Sequence, residues 1–182
     1  FAEEFEIAQS FGWQFDSSSF NWQSLVRNKD KEIERLNRIY KGILDKAGVK
    51  IVSGKAVIED QHTVSVGEQV YTAERILVAT GSWPSIPNIP GQEYIISSNE
   101  AFHLDSLPDR ITIVGGGYIA VEFAGIFNGM GVDTTLMYRG PMFLRGFDEE
   151  CRRFLSEEML KKGIKIRFEE NIISVAKQGT EY

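Results

Sequence analysis

Apolar and polar residues alternate along this chain with two different periods, and the changes of period mark its organisation. The stretch Ala2 to Ser10 is polar with helical character, and Asn21 stands where a helix N-cap belongs. From Trp22 to Ala47 the apolar residues Leu25, Ile33, Leu36, Tyr40, Ile43 and Leu44 recur at helical spacing with charges between them, which predicts one long amphipathic helix closed by Gly48. Short alternating runs follow at 49–52, 56–58, 63–66, 69–71 and 75–78, and they read as small strands joined by turns. Gly81 to Gly91 then holds three of the five prolines, Pro84, Pro87 and Pro90, and breaks every periodic pattern, so a linker is expected over 83–96.

Beyond the linker the elements become regular. Ser97-Ser98-Asn99-Glu100 fits a capping box for a short helix through Leu104. Next come a strand over 111–114, a helix over 118–130, a strand over 134–138, a helix over 148–162 with Gly163 behind it, and a strand over 164–168. Strand, helix, strand, helix, strand predicts an α/β unit with a parallel sheet. The last stretch, Ile172 to Tyr182, reads as a strand and turn. Because the chain opens on Phe1 and stops without a closing element, it is expected to be an internal piece of a longer protein, with Val114 and Ile76 to Val78 short of apolar neighbours.

Composition narrows the function classes. The 182 residues are 42% hydrophobic and 25% charged, the makeup of an ordinary globular chain. A net charge of −6 with no stripe of Lys and Arg argues against nucleic acid or anionic lipid as a partner, so any anion site must be local. No apolar run approaches the roughly 20 residues that span a bilayer. A single cysteine, Cys151, excludes an internal disulfide and makes a reducing, cytoplasmic compartment the expectation, with an organelle left open.

The strongest chemical signal is Ile111-Thr112-Ile113-Val114-Gly115-Gly116-Gly117-Tyr118-Ile119-Ala120, a G-x-G-x-x-A pattern between an apolar strand and a helix. In a Rossmann-like, three-layer unit, Gly115 permits the tight turn and Gly117 lets a pyrophosphate approach the backbone. Ala120 keeps helix and strand close, and the helix N-terminus presents unpaired N–H groups to the phosphates. A glycine-rich turn can also exist without a ligand, and the flanking strand and helix decide against that here. The second strand ends in Tyr138-Arg139, where an NAD site would carry an acidic residue. With Arg145 in the same loop, two guanidinium groups can clamp a 2′-phosphate, so NADP(H) is favoured over NAD(H).

These motifs together resemble a known family. Residues 115–125, the Tyr-Arg-Gly run at 138–140 and Leu-Arg-Gly-Phe-Asp at 144–148 look like the NADPH domain of glutathione reductases, which are class I pyridine nucleotide-disulfide oxidoreductases. Residues 76–81 resemble the family's second flavin motif, and the likeness extends upstream through 28–32 and 35–40. The resemblance implies a partial FAD-binding domain over 1–82, made of the long helix and small strands, and a partial NADP-binding domain over 97–182. By the same resemblance Tyr118 is the gate over the flavin, Glu122 sits beside the nicotinamide, and Arg139 and Arg145 hold the 2′-phosphate. Thr80 and Gly81 approach FAD, the backbone at Ala56 lies near the adenine, and Tyr40 reaches glutathione disulfide. The implied parent is a homodimer that reduces glutathione disulfide with NADPH through FAD and a redox-active cysteine pair.

No catalytic residue of that chemistry falls within these residues, since the cysteine pair, the first flavin-binding glycine motif and the acid–base histidine are all missing. Cys151 has no partner cysteine and reads as an incidental thiol, and His62 and His103 fall outside any motif. Thioredoxin, trypanothione and mercuric reductases remain open as alternatives that share the nucleotide-binding core, as does a non-catalytic NADP(H)-binding module. Tyr40 could equally be a packing aromatic, because aromatics at helical spacing usually serve the core.

Overall fold

The computed structural model of the protein describes residues 2–14 and 19–177. Their order is α1 (Ala2–Ser10), α2 (Trp22–Lys46), β1 (Ala56–Ile58), β2 (Thr63–Val66), β3 (Gln69–Thr72), a 3-10 turn (Gln92–Tyr94), α3 (Ser98–Ala101), β4 (Arg110–Val114), α4 (Tyr118–Gly129), β5 (Asp133–Tyr138), α5 (Glu149–Lys161) and β6 (Lys165–Phe168). The chain divides into two compact units, Val26–Pro84 on one side and Phe1–Leu25 with Ser85–Tyr182 on the other.

Helix α2, which belongs to the Val26–Pro84 unit from Val26 onward, is held at both ends as its sequence predicts. Asn21 accepts the Ser24 N–H through Oδ1 at 2.8 Å, and Gly48 takes φ 72° at the C-terminus. None of its side chains is buried, so its apolar stripe, including Ile33, Ile43 and Leu44, is exposed. Strands β1, β2 and β3 form an antiparallel meander in which Val66 pairs with Gln69 across a tight turn at Gly67, φ 60°. The expected strands at 49–52 and 75–78 do not form. Alternation marks a face but supplies no hydrogen-bonding partner, and among the described residues these runs pair with no ladder. Leu77 is left 90% exposed.

The second unit is the parallel α/β element. Strand order is β4-β5-β6, with Ile113 opposite Leu136 and Leu136 opposite Ile166, so one row of apolar side chains crosses the sheet. Helices α4 and α5 cover that face: Ala124 and Met159 join Leu136, Phe143 and Ile164 in one buried cluster. Phe123 and Phe127 on α4 form a second cluster with Ala101 and Val132. Both helices lie on the same face, and Thr112, Val114 and Arg167 on the other are exposed, so the described residues form two of the three expected layers. The buried Thr134 hydroxyl donates to the Val132 carbonyl at 2.9 Å, which satisfies the one polar side chain facing this core from β5.

The capping box predicted at 97–100 is present, with Ser97 and Glu100 bonded reciprocally. The hydrogen bonds from Ser97 hold the Glu100 carboxyl below its ordinary range. Helix α3 nevertheless stops at Ala101 instead of continuing to Leu104. Phe102 turns edge-on to Phe123 at 4.9 Å, and the Leu104 carbonyl accepts the Trp22 indole N–H at 2.7 Å, so tertiary contacts draw the chain out of the helix. The proline-rich segment carries no strand, and the Val175 N–H donates to the Pro90 carbonyl at 2.9 Å. Residues 172–177 form no strand either, and the rest of the expected terminal strand and turn, 178–182, lies outside the described residues.

The turn after β4 is built on clearance. A Cβ on Gly116 would stand 2.4 Å from the Tyr138 ring, and one on Gly140 would stand 2.6 Å from the opposite edge of the same ring. Gly116→Ala should therefore destabilise the protein by about 1–3 kcal/mol, as overpacking does. In thermal or denaturant unfolding, most of that cost should vanish in a Tyr138→Ala background, as a double-mutant cycle would show. An equal cost in both backgrounds would mean that the ring does not set the requirement.

Candidate nucleotide-binding site

At the C-terminal edge of the parallel sheet the chain opens a cleft of about 580 Å³, lined by Gly116, Gly117, Tyr118, Tyr138, Arg139, Gly140, Pro141, Leu144, Arg145 and Phe147. This is the position where parallel α/β sheets bind ligands, because the helix N-termini and the connecting loops converge there. The sequence places each part by a simple rule. β4 ends at Val114, its ladder extended by the Gly115 N–H donating to the Met137 carbonyl at 2.9 Å, and three glycines then allow the turn into α4.

Each glycine has its own geometric reason. Gly115 adopts φ 156°, and a Cβ there would meet the Ala120 methyl at 3.2 Å, so the small residues at 115 and 120 set how closely strand and helix approach. At Gly117, the N-cap of α4, an added Cβ would meet nothing within 4 Å, and no side chain caps the helix. The backbone is thus bare on the side facing the cleft, with the first-turn N–H groups available to an anion. These are features that a dinucleotide pyrophosphate requires, and the residues present fit it.

The opposite wall is the loop from Arg139 to Phe147. Arg139 and Arg145 are both exposed, both line the cleft, and neither pairs with a carboxylate among the described residues. By contrast Arg167, near the end of β6, is engaged by Glu170 at 2.9 Å. Two uncompensated guanidinium groups in one cleft favour a dianionic ligand. The loop is fastened from below, with the Leu144 N–H donating to the Gly116 carbonyl at 2.6 Å and Phe143 fully buried against Phe168.

The structure therefore brings together Gly117, Tyr118, Arg139 and Arg145, with Gly115 and Ala120 directly behind them. Tyr118 is 59% exposed at the mouth of the helix, and Ile119 and Glu122 follow it on the exposed side of α4. The flavin and substrate candidates Tyr40, Ala56, Thr80 and Gly81 all fall in the other unit. There Ala56 opens β1, Tyr40 is exposed on α2, and Gly81 takes φ 75° with open space where a Cβ would stand, as a close backbone approach to a cofactor requires. Sequence reasoning missed Gly116, Tyr138, Gly140, Pro141, Leu144 and Phe147 as cleft residues. The signal available was the pairing of an aromatic at the end of β5 with glycines at 116 and 140. Only the fold reveals that they meet.

Comparison with known proteins agrees with this geometry. The family model described as "Pyridine nucleotide-disulphide oxidoreductase" matches residues 2–182. Glutathione reductase of Nostoc sp. is 44% identical over 177 residues, which cover 97% of this chain and 38% of that protein. The chloroplastic/mitochondrial glutathione reductase of Pisum sativum is 48% identical over 178 residues, covering 97% of this chain and 32% of its own length. Trypanothione reductase of Leishmania donovani is 42% identical over 182 residues, covering 92% and 37%. Among solved structures, the HOCl-induced flavoprotein disulfide reductase RclA from Escherichia coli superposes with a TM-score of 0.74 at 24% identity, covering 85% of this chain and 37% of that one, and this likeness concerns the fold. The chain thus spans under two fifths of the length of these relatives. Glycine turn, parallel sheet and family match converge: the chain belongs to the pyridine nucleotide-disulphide oxidoreductases, a family of flavoprotein oxidoreductases in which glutathione reductases use FAD and NADPH.

Proposed function

We propose that this chain carries the NADPH-binding portion, and part of the FAD-binding portion, of a reductase that acts on glutathione disulfide. The observation that carries the NADPH assignment is the cleft in which a bare helix N-terminus faces two unpaired arginines, Arg139 and Arg145. On this reading residues 1–82 belong to the flavin domain, 83–96 to the connection, and 97–182 to the nucleotide domain. The N–H groups after Gly117 bind the pyrophosphate, and Arg139 and Arg145 bind the 2′-phosphate. Tyr118 covers the path to the flavin until nicotinamide enters, and Glu122 lies beside the nicotinamide. In the other unit, Thr80, Gly81 and Ala56 contact FAD and Tyr40 contacts glutathione disulfide.

When bound, NADPH and FAD supply the hydride and electron chemistry, and the residues of this chain bind and orient them. Substrate preference follows the relatives: three glutathione reductases at 42–48% identity support glutathione disulfide. The trypanothione reductases at 39–42% identity make trypanothione disulfide the second reading. Steady-state rates of the intact protein with each disulfide decide between them. A homodimer is the assembly proposed for that protein. No helix among the described residues is long and apolar enough to cross a membrane, and the proposed compartment is the cytoplasm or an organelle of similar redox poise.

Fluorescence titration with NADPH and NADH tests the cleft. The intact protein should prefer NADPH, and Arg139→Ala with Arg145→Ala should weaken NADPH binding by about tenfold to a hundredfold while leaving NADH nearly unchanged. Equal affinity for the two cofactors in the unaltered protein would remove the NADP assignment.

Cys151 takes no part in this scheme. Its N–H donates to Asp148 at 3.0 Å, and hydrogen bonding and the charge of Asp148 push the thiol above its ordinary pKa. Alkylation by iodoacetamide at neutral pH should be slower than for a free thiol and rise with pH. Asp148→Asn, which removes the charge but keeps a competent N-cap, should accelerate it. A Cys151 that alkylates quickly at neutral pH, unaffected by Asp148→Asn, would contradict this.

A further inference from the structure

The loop from Arg139 to Phe147 must keep two mutually repelling guanidinium groups at one wall of the cleft, and the structure shows what restrains it from behind. Arg152, half-buried on α5, donates Nε to the Phe143 carbonyl at 2.7 Å and Nη2 to the Met142 carbonyl at 2.8 Å. These two carbonyls lie midway between Arg139 and Arg145. The planar guanidinium fork spans both at once, which a lysine ammonium on its flexible stem does not reproduce. No carboxylate pairs with Arg152 among the described residues, so its charge is spent on the loop. The same loop is also tied by the Leu144 N–H to the Gly116 carbonyl, with Leu144 held at φ 56°. Without the fork, two part-buried carbonyls lose their donors and the loop must turn them toward water.

We propose that Arg152 is a positioning residue for nucleotide selectivity. By holding the Met142 and Phe143 carbonyls it fixes the backbone that presents Arg139 and Arg145 to the 2′-phosphate of NADP(H). The proposal rests on the reading of the cleft as a 2′-phosphate site. It assigns Arg152 no contact with the nucleotide.

The neighbouring Arg153 provides a matched control, because it is exposed and pairs with Glu149 at 3.4 Å on the helix surface. Calorimetric titration of the intact protein with NADP⁺ and NAD⁺ would compare Arg152→Ala, Arg152→Lys, Arg153→Ala and the double substitution Arg139→Ala with Arg145→Ala, each with its melting temperature. Arg152→Ala should weaken NADP⁺ by about tenfold and leave NAD⁺ within about twofold, with Arg152→Lys between it and the unaltered protein. Arg153→Ala, which removes the same charge, should leave the NADP⁺ to NAD⁺ ratio within about twofold of the unaltered protein. Three results overturn the proposal while leaving the cleft reading standing: an unchanged ratio in Arg152→Ala when the double substitution abolishes it, equal losses for both nucleotides, or equal losses in Arg152→Ala and Arg153→Ala. If Arg152→Ala fails to fold, full selectivity in Arg152→Lys overturns it as well. An unaltered protein without preference removes the cleft reading and the proposal together.

Discussion

Steric clearance around one tyrosine governs the nucleotide unit. The ring of Tyr138 lies between the backbones of Gly116 and Gly140, each too near it to carry a Cβ. Both glycine-bearing loops can therefore close over the end of β5, and the Leu144 N–H can reach the Gly116 carbonyl. The cleft is the space left above this contact. Gly115 and Ala120 apply the same rule one step earlier, where strand and helix approach to the point that only small residues fit. Close packing transmits these local limits outward, since a shifted turn would displace α4, whose Ala124 and Phe127 are buried in the two core clusters.

Electrostatics completes what packing begins. The surface of the unit neutralises many of its charges locally, as at Lys165 with Asp133, Arg153 with Glu149 and Lys161 with Glu158. Arg139 and Arg145 depart from that pattern at the place where a helix N-terminus adds its own partial positive charge. An overall charge of −6 is compatible with this, because a local field is set by the groups within a screening length and not by the total. The acidic caps serve the scaffold: Asp148 holds the N-terminus of α5, and the Cys151 N–H bonded to it keeps the carboxyl below its ordinary range. A cap that stays ionised fixes where α5 begins, and so where Arg152 stands.

The unit formed by Val26–Pro84 has a different character. Its long helix buries no side chain, and Leu77 and Val78 of the flavin-like motif are exposed. The hydrogen-bonded frame is formed all the same, since α2 satisfies its backbone internally and the meander satisfies its own. Exposed apolar side chains of that extent set it apart from the nucleotide unit, whose helices bury theirs in two clusters.

Much of this is legible in the amino-acid sequence by itself. The caps at Asn21 and Ser97 and the glycines ending α2 and α5 act locally, so their chemistry is complete within a few residues of sequence, whereas Asp148, read as the first helical residue, proves to be the cap of α5. The same holds for the strand–glycine–helix order of the nucleotide motif and for the arginines after β5, whose positions in the loop are set by the element before them. What sequence alone could not decide depended on distant partners. Runs 49–52 and 75–78 had the strand pattern but found no ladder, and α3 lost its last turn to Phe123 and Trp22. Tyr138 became the wedge between two glycines only when β5 was laid beside β4, and Arg152 became a brace only when α5 packed under the loop. Local hydrogen bonding is encoded within the reach of a few residues. Partner, clearance and support exist only once chain segments far apart in sequence are brought together.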